Sequence, residues 1–336
     1  MSRIISVNAS SKYNIYLGRN ELDKIGTYFN LRRKVLVVTD SNIPLEYVNK
    51  VLNSCLKGYL VTLNPGESSK CFDNYLKLNK ILLENEFSRT DAIVALGGGV
   101  IGDLSAFVAS TYMRGIDFYN VPTSLLSMVD SSIGGKTAID FLGVKNVIGS
   151  FYQPRGVLID IDTLASLDRR QLMSGLVESI KMGLCLDRKL FDLIKDSSSL
   201  DEDIEEIIYR SLECKRKVVE EDEKEKGLRK VLNYGHSFGH AIEESSSLSL
   251  LHGESVGIGM LYFTSRIVKD ELIKVLNKYG LPTSYDLKEE DINRYVTKDK
   301  KRDGDKIDIV YLEDYEKFSF IKLSYEELKE YVKHVR

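Results

Sequence analysis

Three of the four histidines in this 336-residue chain lie in one stretch, residues 233–260, which reads NYGHSFGHAIEESSSLSLLHGESVGIGM. They are His236, His240 and His252; the fourth, His334, sits in the C-terminal tail. His236 and His240 are four apart, so on a helix they share a face. Asn233 is placed to cap that helix, and Glu243 and Glu244 follow the pair. His252 comes after a turn of small residues, Ser245 to Ser247, and opens a second helical run. Neutral imidazole suits zinc and other borderline divalent ions. A closed structural zinc site would call on cysteine, and none is near, so the cluster points to an open, catalytic metal site. Spacing alone pairs His236 with His240 on the metal.

Further groups could act on a charged substrate. Glu178 and Lys181 are three apart on a predicted helix. Lys215, Arg229 and Asn233 place two cations and an amide shortly before His236. Residues 122–150 are rich in Ser, Gly and Thr and carry Asp130, Lys136, Lys145 and Asn146. Gly134-Gly135-Lys136 could set backbone donors and a cation around a phosphate, although the pattern is not a Walker A loop. Gly97, Gly99 and Gly102 fit G-x-G-x-x-G between a strand and a helix, where a pyrophosphate is held by backbone N–H groups. The acids suited to ribose hydroxyls, Asp40 and Glu67, precede this turn. That departs from the usual order, in which the acid follows by about 20 residues.

These groups need elements to hold them. Residues 3–17 alternate weakly and read as one or two strands, and Leu22 to Phe29 as a short helix. Lys34–Thr39, Gly58–Leu63, Asp91–Leu96 and Phe118–Val121 read as strands, the apolar runs among them suiting a buried parallel sheet. Helical patterns fall between them at 45–56, from a Ser68 or Ser69 cap to Leu83, and after Gly102. After about residue 160 helices dominate: 167–184, 187–194, 204–219, the two histidine helices, 271–279 and 289–296. Only 307–311 and 318–321 look extended. The fold class is therefore an α/β N-terminal Rossmann-like domain with a parallel sheet, residues 1–158, plus a mainly α-helical C-terminal domain, residues 159–336. A cleft between two such domains is a favoured ligand site.

The composition excludes several classes. Net charge is −3, which creates no field favouring nucleic acid or acidic membranes. There is no N-terminal apolar segment of signal-peptide type and no run of about 18 apolar residues. Four scattered cysteines without C-x-x-C imply reduced thiols and a cytoplasmic protein.

Taken together, the blocks PGESSK (65–70), GGGVIGD (97–103), STYMRG (110–115), VPTSLLSMVDSSIGGKTAID (121–140), GVKNVIGSFYQP (143–154), ESIKMG (178–183), GLRKVLNYGHSFGHAIE (227–243), HGESVGIGM (252–260) and DKK (299–301) closely resemble the 3-dehydroquinate synthase family. The resemblance covers roughly residues 34–304. Other sugar phosphate cyclases, such as 2-deoxy-scyllo-inosose synthase, share the scaffold, and glycerol dehydrogenases are more distant.

The resemblance implies conversion of 3-deoxy-D-arabino-heptulosonate 7-phosphate to 3-dehydroquinate and phosphate, with catalytic NAD and a divalent metal, zinc or cobalt. It implies Glu178, His236 and His252 as metal ligands, in place of the His236–His240 pair. His240 then matches the catalytic histidine near the phosphate, and Glu225 a proton acceptor. Asp130, Lys136, Asn146, Lys181, Lys215, Arg229 and Asn233 match substrate-binding positions. Lys301, in preference to Lys300, matches a phosphate-contacting lysine. Arg114 resembles an arginine that reaches a neighbouring subunit's site, which implies a homodimer. Asp40, Glu67, Lys70, Gly98, Gly99, Asp103, Thr123, Ser124, Lys145 and Thr163 match NAD contacts, and Lys136 is placed to serve the cofactor as well as the substrate. Ser124 and Ser174 depart from the family, where many members carry Thr and Asn.

Overall fold

The computed structural model describes residues 2–247, 249–291 and 306–334. The chain divides into two compact units, one of residues 1–168 with 215–224 and one of residues 169–214 with 225–336.

The first unit is built on a seven-stranded sheet. Its strands are β1 (Arg3–Asn8), β2 (Lys12–Gly18), β3 (Lys34–Asp40), β4 (Lys57–Leu63), β5 (Ala92–Gly97), β6 (Asp117–Pro122) and, after a separate hairpin of β7 (Lys136–Phe141) and β8 (Val144–Phe151), β9 (Gly156–Asp160). The spatial order is β1-β2-β9-β6-β5-β3-β4, with β1 and β2 antiparallel and every other pair parallel. All six residues of β5 are buried, as expected of a parallel strand covered on both faces. The pleat divides its side chains. Ile93 and Ala95 join Leu36, Val38, Leu78, Leu82 and Leu104 on one face, while Val94 and Leu96 join Val35, Val37, Ile25, Val48 and Val51 on the other. The helices that cover these faces are α1 (Ile25–Tyr28), α2 (Leu45–Asn53), α3 (Phe72–Glu84) and α4 (Gly99–Thr111).

The second unit holds α5 (Arg169–Leu186), α6 (Arg188–Asp196), most of α7 (Leu200–Glu221), α8 (His236–Ser245), α9 (His252–Tyr262) and α10 (Arg266–Lys278). A hairpin of β10 (Lys306–Asp314) and β11 (Lys317–Ser324) and a terminal helix, Tyr325–His334, complete it. Residues 173–185 of α5 are all buried, so the polar Glu178 and Lys181 lie in the interior. No helix among the described residues is long and apolar enough to cross a membrane.

Two elements went unassigned in the sequence and two expected caps differ from the structure. Residues 136–151, for which the sequence pattern assigned no element, form a hairpin. It closes through Leu142 and Gly143, both with positive φ (50° and 76°), between the paired Phe141 and Val144. Glycines and exposed polar residues hide its alternation. β9 is only five residues long, and its pairing with β2 and β6 decides it more than its own pattern. The helix after Glu67 starts later than Ser69: Glu67–Ser69 is a 3₁₀ turn and Cys71 caps α3. Asn233 does not cap the histidine helix. It ends a 3₁₀ turn, Leu228–Asn233, and Gly235 at φ 79° is the cap. The first unit also runs beyond residue 158, because the Asp160 carboxylate accepts from the backbone N–H groups of Asn20, Leu22 and Asp162. Residues 215–224 join this unit through Glu220 and Glu223, which accept from Asn8 and Ser10 at the β1–β2 turn.

Candidate active site

In the second unit, Glu178 of α5 meets the first residues of two helices, His236 of α8 and His252 of α9. Both histidine Nε2 atoms lie 3.7 Å from Oε1 of Glu178. The other nitrogen of each ring is engaged. His236 Nδ1 lies 3.2 Å from the carbonyl of Tyr234, and His252 Nδ1 lies 3.1 Å from Glu243 Oε2. A ring that donates through Nδ1 presents an Nε2 lone pair, the arrangement of metal-ligating histidines with outer partners. Glu178 is fully buried, and neither of its oxygens accepts a hydrogen bond of normal geometry, although Lys181 Nζ is in close contact with Oε2. Two imidazoles and a carboxylate with converging atoms suit zinc or cobalt, so the residues fit a metal.

The titration of the cluster follows from burial and mutual proximity. For Glu178, burial alone would raise the carboxyl, but Lys181 and His252 pull it down to about 2. His236 is driven well below the ordinary imidazole value by burial and by the neighbouring Lys181, His252 and His240. His252 goes the other way: burial opposes its charge, yet Glu178 and Glu243 raise it to about 9.

Glycines bring the two helices together. An added Cβ on Gly259 of α9 would stand 2.1 Å from the Gly235 carbonyl oxygen, and one on Gly235 would meet Met260 at 2.5 Å. Such backbone contact is open only to glycine, and Gly235 also needs its positive φ. The start of α9 is fixed twice more. Arg170 grips Glu254 with two charge-assisted hydrogen bonds (2.6 and 2.7 Å) and donates to the Ser249 carbonyl, while Glu254 accepts from the Leu251 N–H. The Gly253 N–H donates to Ser174 Oγ at 3.0 Å, so Ser174 helps to seat His252.

Other expected residues stand in the same unit. Lys181 Nζ donates to the Leu232 carbonyl at 2.6 Å. Asn233 donates to Glu225 at 2.7 Å, and Arg229 is buried in the 3₁₀ turn that Asn233 ends. The His240 ring is exposed, with its centroid 5.3 Å from that of His236 and 5.8 Å from that of His252.

The first unit carries a second group of expected residues. β5 runs into Gly98, which caps α4 at Gly99; a Cβ on Gly98 would have Ser124 Oγ as its nearest neighbour, at 3.5 Å. Thr123 is buried and its N–H donates to the Gly97 carbonyl. Lys70 lies between Glu67 (2.9 Å) and Asp103 (3.3 Å). Burial pushes the Asp103 carboxyl up to about 6 against the pull of Lys70. Burial likewise raises Asp40, whose carboxylate accepts from the Asn42 N–H. Thr163 is buried on the Asp160 carbonyl. Lys215 donates to the Asp130 carboxylate at 2.6 Å and also to its carbonyl.

Lys136 and Asp103 line one small cavity, with Asn120, Ser131, Ser132 and Thr137. Lys145 and Asn146 are exposed on β8, and the Asn146 N–H donates to Asp140. Arg114 is exposed beyond α4 with φ 65°. Lys300 and Lys301 lie outside the described residues.

The comparisons with known proteins identify the family. The family described as 3-dehydroquinate synthase N-terminal matches residues 60–174, and 3-dehydroquinate synthase C-terminal matches residues 175–302. The chain belongs to the 3-dehydroquinate synthase family. It is 40% identical to the 3-dehydroquinate synthase of Streptococcus mutans over 352 aligned positions, covering 98% of this chain and 99% of that one. Among solved structures, a 2-deoxy-scyllo-inosose synthase complexed with carbaglucose-6-phosphate, NAD+ and Co2+ is 25% identical with a TM-score of 0.89, covering 99% of this chain and 100% of that one. A 2-epi-5-epi-valiolone synthase from Streptomyces hygroscopicus with NAD+ and Zn2+ bound shares the fold at 24% identity and a TM-score of 0.88, covering 99% of each chain. As the members of this family are enzymes of the lyase type, so is this chain.

Sequence reasoning gave no role to four residues that shape the site: Glu243, Arg170, Glu254 and Tyr234. Glu243 was legible as a carboxylate seven residues after His236 on the histidine helix, but its partner His252 lies on another helix. Arg170 and Glu254 are 84 residues apart, and only folding joins them. The carbonyl of Tyr234 carries no side-chain signal at all.

Proposed function

We propose that the chain converts 3-deoxy-D-arabino-heptulosonate 7-phosphate to 3-dehydroquinate and phosphate, using NAD that is regenerated in each turnover and a divalent metal, zinc or cobalt. The observation that carries this reading is the buried Glu178 carboxylate facing the Nε2 atoms of His236 and His252 in a chain of this family. The NAD+ and Co2+ of the related inosose synthase support the cofactor set.

Glu178, His236 and His252 hold the metal; Glu243 and the Tyr234 carbonyl orient the two rings. When bound, the metal supplies polarisation that lowers the pKa of the substrate hydroxyl, and NAD supplies a reversible hydride acceptor. Gly98 and Gly99 present N–H groups at the start of α4 to a pyrophosphate. Asp40 and Glu67 accept from ribose hydroxyls, with Lys70, Asp103, Thr123, Ser124, Lys136, Lys145 and Thr163 around the nucleotide. Lys215 and Arg229 hold the substrate carboxylate, for which a guanidinium offers matched donors. Lys136, Asn146, His240 and Lys301 hold the phosphate. Asp130, Lys181 and Asn233 fix the hydroxyls, and Glu225 accepts a proton. Oxidation acidifies the neighbouring C–H, so phosphate can be eliminated, acting as its own base. Bound NAD would also supply the hydride for reduction, after which ring opening and an intramolecular aldol step close the carbocycle. In this reading the protein works in the cytoplasm as a homodimer in the shikimate pathway, with Arg114 reaching the neighbouring subunit.

A second reading, another sugar phosphate cyclase, has the fold in its favour. The buried cations Lys215 and Arg229 favour the acid substrate, since a neutral sugar phosphate has no use for both. The test is phosphate release from the heptulosonate phosphate and from a neutral hexose phosphate, each with trace NAD. Release in excess over NAD from the first only is expected. Release from the second only would overturn the substrate, and net NADH formation would overturn the lyase reaction.

A further inference from the structure

His252 stands between two carboxylates. Its Nε2 is 3.7 Å from Glu178 Oε1, and its Nδ1 is 3.1 Å from Glu243 Oε2. Glu243 has a companion: His240 is three residues before it on α8, so the two side chains share a face. The His240 and His252 ring centroids are 5.8 Å apart. One ligand atom from each of His240, Glu243 and His252 lies within 4.8 Å of the others, the same limit that Glu178, His236 and His252 meet. The second unit therefore holds two overlapping sets of one carboxylate and two imidazoles, with His252 common to both. Each set has the donor types that zinc and cobalt accept. The sets differ in access. Glu178 is fully buried, whereas His240 is exposed and gives an ion a direct path from solvent.

We propose that His240, Glu243 and His252 bind a second divalent transition cation, and that its binding inhibits the enzyme. The inference rests on the reading of Glu178, His236 and His252 as the first metal set. Nε2 of His252 faces Glu178 and Nδ1 faces Glu243, so an ion in each set would share the ring as an imidazolate. The proton that Nδ1 donates to Glu243 is released to solvent, and Glu243 turns from hydrogen-bond acceptor into ligand. This second position is the weaker one, because its ion must displace that proton and sit one imidazole away from another dication. Inhibition follows because His240, once a ligand, no longer reaches the substrate phosphate.

The test is equilibrium dialysis of the full chain against rising Zn2+, with metal counted per chain and activity measured on the same samples. The expected result for the unaltered protein is one tight equivalent followed by a second, weaker one, with activity falling as the second fills. His240→Ala should lose the weak equivalent and keep the tight one; its ring is exposed, so the fold is not at stake. Glu243→Gln should also lose the weak equivalent. The inference is overturned if the unaltered protein stops at one equivalent in millimolar zinc. It is overturned equally if the weak equivalent survives both substitutions, which would place it on thiols or surface carboxylates. Failure to bind even one equivalent would overturn the reading of the first set as well, so the two failures are distinguishable.

Discussion

The two groups of polar residues in this protein balance their charges differently. In the first unit, carboxylate and ammonium groups neutralise each other directly: Lys70 sits between Glu67 and Asp103, and Lys215 holds Asp130. These ion pairs stand without any ligand. In the second unit, Glu178 Oε1 faces two imidazole nitrogens and accepts no normal hydrogen bond. Burial disfavours charge on His252, yet Glu178 and Glu243 raise it to about 9, so positive charge is favoured beside these carboxylates. The contrast is between a first-unit group held by its own ion pairs and a histidine group whose donor set suits an ion. The comparison can be broken at several points.

The largest effect is expected at the ligands. His252→Ala should lose bound metal and, with it, several kcal/mol of transition-state stabilisation, on the order of 10³-fold in rate. Far-UV circular dichroism should show the fold intact. Full metal content by elemental analysis in that variant would sink the assignment.

Acidity comes next. The His252 imidazole of the metal-free protein is raised to about 9, so below that pH a proton competes with the metal for Nε2. The same raised value makes protonated His252 a source of metal-free stability below its unfolded value of about 6.5, lost as pH rises through about 9. Metal affinity should therefore rise roughly tenfold per pH unit from about 6.5 towards 9 and then level off. Glu178, pulled down to about 2, adds no slope in that window. Chelator competition across pH is the measurement, and a flat profile would contradict the proton–metal exchange.

Glycine substitutions sharpen the contrast between the two units. A Cβ on Gly259 would stand 2.1 Å from the Gly235 carbonyl, so Gly259→Ala should force α8 and α9 apart. The expected cost is about 1–3 kcal/mol or more in unfolding free energy, with weaker metal binding. Gly98→Ala meets only Ser124 Oγ at 3.5 Å and should leave stability within about 0.5 kcal/mol. Denaturant unfolding of both variants decides it; equal losses would mean that helix contact does not set the histidine cluster.

A further effect concerns the substrate carboxylate. Arg229→Ala should lose a charge-assisted contact of about 1.5–3 kcal/mol, roughly tenfold or more in affinity. Lys215→Ala should behave alike, and the losses should not add, because both act on one group. Binding of phosphonate analogues with and without the carboxylate measures this. Equal weakening for both analogues would favour the other cyclase reading.

Much of this arrangement was legible beforehand, and the exceptions have physical causes. The buried runs at Lys34–Thr39 and Asp91–Leu96 declared themselves as parallel strands because both faces are covered. His252 was readable as the start of a helix. The pairing of His236 with His252, in place of His240, was not readable from spacing. It depends on Gly235 and Gly259 letting two helices touch, and on Glu178 more than 50 residues earlier in the chain. The β7–β8 hairpin was hidden because its strands are stabilised by each other and by a turn of two residues with positive φ. Asn233 looked like a cap by residue type, yet the chain turns twice more before α8 begins.

The central proposal is that a metal completes the histidine group, whereas the ion-paired group of the first unit stands without one. Amide hydrogen exchange with metal bound and after chelation tests it most directly. On chelation, exchange should speed up in 236–245 and 252–262, by about 10³-fold where metal had been held at 1,000 times its dissociation constant. Residues 92–111, which carry the glycine turn and α4, should keep their protection. Unchanged exchange in the two histidine helices, or an equal loss of protection in 92–111, would contradict the account.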